Sequence, residues 1–153
     1  MLELHQVTIG QQITKLSITV NDGKMVCITG AQGTGKTNLL RAILGFIPVD
    51  EGFISIDGEL LTPQSAPYFR RQTAYVPQHL TVPDGYKKVP TDYVQLLQKA
   101  VESGKPLLIV DEPPHPVSED VEVTIERLLQ AAVDKGTTVL AVNSRIQPNS
   151  IQL

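Results

Sequence analysis

A glycine-rich stretch places the strongest constraint on how this chain can fold. It reads G-A-Q-G-T-G-K-T from Gly30 to Thr37 and fits the pattern G-x-x-x-x-G-K-[ST] at every fixed position. The apolar, β-branched run before it, residues 25–29, predicts a buried strand, and the apolar residues within 38–44 recur at helical spacing. A strand, a glycine loop and a helix in this order predict a phosphate-binding loop, or P-loop.

The residue types of this loop explain why it would bind phosphate. Glycines permit backbone angles that a side chain forbids, so successive N–H groups can turn toward one anion, and the following helix adds the positive end of its dipole. We expect Lys36 to reach the β- and γ-phosphates and the Thr37 hydroxyl to ligate Mg²⁺. The expected cofactor-binding set is Gly30, Ala31, Gln32, Gly33, Thr34, Gly35, Lys36, Thr37 and Asn38.

A pair of carboxylates forms the second chemical element. The apolar run of residues 107–110 is typical of a strand covered on both faces, and it ends in Asp111 and Glu112. Asp111 at the strand tip would hold Mg²⁺ beside Thr37. Glu112 would polarise the attacking water as a general base.

Composition narrows the class of protein. The chain has 153 residues, a formal net charge of −3 and a single cysteine, Cys27, which we expect to be a small core hydrophobe. Without a dense Lys/Arg patch we expect no nucleic-acid partner, and without a long apolar run we expect no membrane span. We therefore expect a cytoplasmic protein, or one peripheral at the inner face of a membrane.

Hydrophobic periodicity predicts an α/β fold, with a mostly parallel sheet flanked by helices and an antiparallel β layer at the N-terminal side. Strands are predicted over residues 2–9, 16–20, 25–29, 53–56, 73–76, 106–110 and 137–142. Helices are predicted from the P-loop to Pro48, over 68–71, from Thr91 or Asp92 to Gly104, and over 119–135.

Three stretches together resemble the nucleotide-binding domain of ATP-binding cassette (ABC) ATPases. They are the P-loop, the segment Tyr75-Val76-Pro77-Gln78 and the segment from Leu107 to Pro113; residues 45–58 are also similar to a stretch of that family. The resemblance implies ATP and Mg²⁺ as cofactors and a P-loop NTPase fold. By this resemblance Gln78 contacts Mg²⁺ and the attacking water and senses the γ-phosphate. Asp111 matches the Walker B aspartate and Glu112 the catalytic glutamate, which acts alongside Lys36.

The same resemblance implies one P-loop nucleotide-binding domain over residues 1–153. Its parts would be an antiparallel β portion (1–24 and 50–60), a RecA-like core (25–48, 73–78 and 106–145) and a linker (79–90) in place of the family's helical subdomain.

Departures from the family pattern lower the expected activity. Residues 88–92, where the LSGGQ signature would fall, contain no Ser-Gly-Gly, Ser144 stands in place of the switch histidine, and Ile9 or Gly10 replaces the adenine-stacking aromatic. Two copies of this chain would then form poor composite sites. We expect weak hydrolysis by the chain alone, and a partner that is a membrane subunit or a signature-bearing ATPase.

Two other functions stay open at this stage. The first is a non-catalytic, ATP-gated binding or regulatory protein in which nucleotide only orders residues 78–90. The second is a small P-loop kinase, although the lid of a kinase needs arginines and the linker offers only Lys87 and Lys88. Phosphate release, a requirement for an acceptor, or binding alone would separate the three functions.

Overall fold

The computed structural model describes residues 1–31, 33–78, 93–113, 117–143 and 150–153. Its strands are β1 (Leu2–Ile9), β2 (Ile13–Val20), β3 (Met25–Thr29), β4 (Glu51–Ile56), β5 (Glu59–Leu60), β6 (Thr73–Val76), β7 (Leu107–Val110), β8 (Thr138–Asn143) and β9 (Ile151–Gln152). Its helices are α1 (Lys36–Ile43), α2 (Ala66–Arg71), α3 (Tyr93–Glu102) and α4 (Glu119–Asp134).

A parallel sheet carries the P-loop strand. Its strands lie in the order β6-β7-β8-β3-β9, and every neighbouring pair is parallel. Because parallel strands end at one common edge, the loop after β3 and the residues after β7 lie on the same side of the sheet. The fold therefore brings the P-loop and the Asp111–Glu112 pair to one edge.

An antiparallel sheet forms the N-terminal side, in the order β2-β1-β4-β5. Strand β1 is central and pairs with both β2 and β4, with irregular register in each pairing. The buried and exposed residues of β2 alternate over much of its length, as its sequence predicts. The predicted fold class, a mostly parallel sheet with an antiparallel layer, is confirmed.

Two apolar clusters fill the molecule, one on each face of the parallel sheet. The first joins the antiparallel sheet and α1 to one face, and Leu4, Leu39 and Ile109 lie in it. The second packs α3 and α4 on the opposite face and includes Leu97 and Leu108. Neighbouring residues of β7 point into different clusters because side chains alternate along a strand. This strand is therefore covered on both faces, as its continuous apolar run predicts.

Several boundaries differ from those predicted. Helix α1 ends at Ile43 instead of Pro48, because the Phe46 N–H donates to the Arg41 carbonyl at 2.9 Å and so closes the helix earlier. The two-residue strands β5 and β9 were not predicted. The prediction that Cys27 lies in the core is wrong, because the residue is partly exposed. Burial of the rest of the side chain raises the pKa of its thiol.

Candidate functional site

The P-loop bends through two glycines in the left-handed region of backbone space. Gly33 has φ +83° and Gly35 has φ +87°, and Gly35 is also the residue that caps α1. A Cβ on Gly35 would lie 3.1 Å from both Cβ and Oε1 of Gln12, so this position also needs the close approach that only glycine permits. The loop therefore turns tightly into the first turn of α1.

Donors inside the loop converge on one carbonyl oxygen, that of Ala31. It accepts hydrogen bonds from Thr34 N–H at 3.3 Å, from Thr34 Oγ1 at 2.8 Å and from Lys36 Nζ at 3.0 Å. Lys36 Nζ also donates to the Gly30 carbonyl. The buried ammonium of Lys36 thus turns back into the loop, where oxygen atoms are its partners.

Asp111 and Glu112 lie directly beside this loop. Asp111 is 2% exposed, and its Oδ2 accepts a hydrogen bond from Thr37 Oγ1 at 3.5 Å. Its Oδ1 accepts the Glu112 N–H at 2.8 Å, and burial raises the pKa of its carboxyl group. Glu112 is also buried, and its Oε1 lies 4.0 Å from Lys36 Nζ.

A cleft of about 310 Å³ opens over these residues. It is lined by Gln12, Gly33, Gly35, Lys36, Thr37, Asn38, Gln78 and Glu112. The structure therefore brings Gln78, which follows β6, to the same place as the loop after β3 and the carboxylates after β7. Gly30, Ala31 and Asp111 do not line the cleft themselves, but they are hydrogen-bonded to lining residues, and Thr34 is hydrogen-bonded to Ala31.

The atoms around the cleft suit a magnesium ion held together with phosphate. Hydroxyl and carboxylate oxygens are ligands that Mg²⁺ prefers, and Thr37 and Asp111 offer one of each side by side. Within the described ranges, no three His, Cys, Asp or Glu residues gather closely enough to hold a metal ion by themselves. A cation here would therefore take its remaining ligands from phosphate oxygens and water, as Mg²⁺ usually does.

Some sequence predictions fall outside the described residues. They are Gln32 of the P-loop, the linker 79–90 with Lys87 and Lys88, the candidate helix caps Thr91 and Asp92, the whole expected signature position at 88–92, and Ser144 at the expected switch position.

Two side chains at the site had no sequence signal. Gln12, in the turn between β1 and β2, donates from Nε2 to the Gly33 carbonyl at 2.8 Å. Tyr93, the first residue of α3, donates its hydroxyl to the Asp111 carbonyl, and burial raises the pKa of that hydroxyl. Both contacts join segments far apart in the chain, so neither local periodicity nor a motif could have revealed them.

The fold and this cleft together define the class: an α/β domain with a P-loop and an acidic strand end at one edge of a parallel sheet. The family profile described as ABC transporter matches residues 13–99, more than half of the chain. The chain belongs to the ABC transporter family of ATP-binding domains. The match covers the P-loop and Gln78, whereas Asp111 and Glu112 lie beyond it.

Curated relatives match parts of the chain. The Fe(3+) ions import ATP-binding protein FbpC 2 of Pectobacterium atrosepticum is 35% identical over 96 residues, which cover 55% of this chain and 28% of that protein. The sulfate/thiosulfate import ATP-binding protein CysA of Bacillus cereus is 41% identical over 69 residues, which cover 45% of this chain and 19% of that protein. In both cases the match spans less than a third of the relative's length.

Solved structures share the fold over nearly the whole chain. The ATP-binding subunit of an ABC transporter superposes with a TM-score of 0.76 at 19% identity, covering 94% of this chain and 79% of that one. An ATP-binding cassette solved as a dimer, in a post-hydrolysis state bound to ADP and Pi, gives a TM-score of 0.75 at 18% identity, covering 95% and 88%. At these identities the likeness concerns the fold.

The described helices are short or polar. None of them is both long enough and apolar enough to cross a lipid bilayer.

Proposed function

We propose that this chain binds Mg·ATP in the P-loop cleft and hydrolyses it as the ATP-binding part of an ABC transporter. One observation carries the proposal: three donor groups of the loop converge on the Ala31 carbonyl oxygen, beside the hydroxyl–carboxylate pair of Thr37 and Asp111. Donors that already gather around one oxygen inside the loop are suited to phosphate oxygens, which carry more negative charge.

Binding begins with an exchange of partners at Lys36. Phosphate oxygens entering the loop compete with the Gly30 and Ala31 carbonyls for its ammonium group, and a charged acceptor makes the stronger hydrogen bond. Thr37 and Asp111 would hold Mg²⁺, which would supply positive charge to neutralise the charge that develops on the phosphates. Glu112 Oε1 lies 4.0 Å from Lys36 Nζ, so this carboxylate is next to the group that the exchange engages.

Hydrolysis then depends on Glu112 and Gln78. Glu112 lines the cleft and is buried, so its carboxylate can accept a proton from water that attacks the γ-phosphate. Gln78 lines the same cleft and can orient that water through its side-chain amide. A positioned general base typically contributes about 10²–10⁴-fold in rate.

Turnover by the chain alone would be weak. The sequence over 88–92 has no Ser-Gly-Gly, and Ser144 cannot supply the charge of a histidine at the expected switch position. A signature-bearing ATPase partner would complete the site.

The curated relatives from Pectobacterium atrosepticum and Bacillus cereus are named as import ATP-binding proteins. On this basis we propose a membrane subunit as the second partner and the cytoplasmic face of the membrane as the location.

The binding half of the proposal is tested with Lys36→Ala. The wild-type chain should be stabilised by Mg·ATP, by about 2.7 kcal/mol at a hundredfold excess over Kd, and the variant should lose this stabilisation. Thermal unfolding with and without nucleotide measures it. Lys105→Ala is the matched control, since Lys105 is exposed and precedes β7 at the opposite end of the strand from Asp111. Equal stabilisation of wild type and Lys36→Ala would remove the P-loop as the binding site.

The hydrolysis half is tested by phosphate release from wild type, Glu112→Gln and Glu126→Gln. Glu112→Gln should retain nucleotide binding and lose release, while Glu126→Gln, changed on an exposed position of α4, should match wild type. Equal release by all three would exclude Glu112 from the mechanism. Nucleotide binding without release from wild type, with or without a signature-bearing partner, would favour the ATP-gated binding protein. Release that requires an added acceptor would favour the kinase.

A further inference from the structure

Gln12 reaches the P-loop from a different sheet. It lies in the turn between β1 and β2, yet its Nε2 donates to the Gly33 carbonyl at 2.8 Å. Its Cβ and Oε1 also lie where a side chain on Gly35 would have to be, and the neighbouring Ile13 packs against the same glycine. We infer that Gln12 is a positioning residue for phosphate binding, an inference that rests on the proposed nucleotide-binding function.

The turn that carries Gln12 is itself held in place. The Gly10 N–H donates to Asp50 Oδ2 at 2.7 Å, and the Asp50 N–H donates to the Thr8 carbonyl at 2.8 Å. Ile13, which follows Gln12, is 2% exposed in the apolar core. The amide group of Gln12 is therefore presented from an anchored turn.

The hydrogen bond from Gln12 fixes the direction of one peptide group in the loop. The C=O of Gly33 and the N–H of Thr34 belong to the same trans peptide and point in opposite directions. With the carbonyl held by Gln12 on one side, the Thr34 N–H points inward and donates to the Ala31 carbonyl at 3.3 Å. That N–H is one of the three donors that would meet phosphate.

Glycine at position 33 gives this peptide no support from a side chain. A Cβ on Gly33 would meet nothing within 4 Å, and glycine adopts positive and negative φ with similar ease. Without the amide of Gln12, the described contact that remains on this peptide is the bond from Thr34 N–H to the Ala31 carbonyl at 3.3 Å. A phosphate that displaces the Ala31 carbonyl would then leave the peptide able to rotate its own carbonyl oxygen toward the anion, where it repels. Gln12 thus acts through the loop on every ligand that carries the polyphosphate, whatever its base.

Gln12→Met tests this role because methionine keeps the length and neutrality of the side chain but cannot donate a hydrogen bond. We expect Kd to rise by about two- to tenfold, and by the same factor for Mg·ATP, Mg·GTP and Mg·tripolyphosphate. Calorimetric titration measures the three values. Gln11→Met, one residue earlier in the same turn, is the matched control and should bind all three as wild type does.

Three results would overturn the inference. The first is an unchanged Kd in Gln12→Met. The second is a loss of affinity for the nucleotides but not for tripolyphosphate, which would make Gln12 a contact to base or ribose. The third is an equal loss of affinity in Gln11→Met. Thermal unfolding without ligand should give similar midpoints for wild type and both variants, which separates loop positioning from damage to the turn. Lys36→Ala keeps the two proposals distinguishable: if wild type binds no better than Lys36→Ala, the P-loop function itself fails.

Discussion

The Ala31 carbonyl oxygen shows what the loop requires of a ligand. Three donors point at it, although a carbonyl carries only a partial negative charge and belongs to the loop itself. A phosphate offers several full acceptor oxygens to the same donors, with the exposed mouth of the cleft as its route of entry. Under the proposed function, the loop is already bent for an anion, and binding would mainly replace one acceptor with another.

At the scale of single residues, we predict that the contribution of Thr37 to ATP binding depends on Mg²⁺. Thr37→Ala should weaken the binding of Mg·ATP by about tenfold, because the hydroxyl beside Asp111 Oδ2 is lost as a metal ligand. ATP titrated with a chelator present should bind wild type and variant alike. Thr124→Ala, on an exposed position of α4, is the control. A loss of equal size with and without Mg²⁺ would place Thr37 on the phosphate instead of the metal.

Single residues also mark the limit of what sequence could predict at the site. Lys36, Thr37 and the loop glycines belong to one contiguous motif whose spacing follows from its chemistry, so they could be predicted. Asp111 and Glu112 could be predicted because parallel strands share an edge. Gln12 could not, because its contact depends on how one sheet sits against the other, and no local pattern encodes that distance.

At the scale of elements, β4 contains a position that only glycine can occupy without strain. Gly52 has φ +78°, and a Cβ there would lie 2.3 Å from the carbonyl oxygens of both His5 and Gln6 on β1. The register between β1 and β4 shifts just beyond His5, so the two backbones approach closely at this irregularity. The antiparallel layer depends on this approach.

Gly52→Ala should therefore cost about 2–5 kcal/mol of the free energy of unfolding, through positive φ and the backbone clash together. Gly58→Ala is a close control, since Gly58 has φ +79° with nothing within 4 Å of an added Cβ, and it should cost only about 1–2 kcal/mol. Urea titration of both variants measures the difference. A similar loss of unfolding free energy in both variants would mean that β1 and β4 move apart at Gly52 at no measurable cost.

Elements with a periodic signal could be predicted, and those without one could not. Strands β3 and β6 have the predicted bounds because each is a compact apolar run between clear breaks. Strands β5 and β9 have two residues each, too few to show alternation. They form by pairing with the longer strands β4 and β3, respectively. Helix α1 stops before Pro48 because its last turn closes on its own carbonyls.

At the scale of the whole molecule, the missing signature sequence predicts how copies of the chain behave. With Mg·ATP, the Glu112→Gln variant should stay a single chain in sedimentation velocity, because residues 88–92 lack the Ser-Gly-Gly that would face the phosphate of a partner. The solved cassette with which this chain superposes is described as dimeric, which makes that protein a suitable positive control. A nucleotide-dependent dimer of this chain would contradict the argument.

The order of strands in the parallel sheet has a consequence for biosynthesis. Strand β3, which carries the P-loop, has as its neighbours β8 and β9, and Met25 pairs with Val139. A chain emerging from the ribosome therefore exposes its glycine loop long before the strands that flank it are made. The P-loop strand therefore gains its two neighbours in this sheet only after residues 138–152 have been synthesised, so its pairing waits for contacts that are distant in sequence.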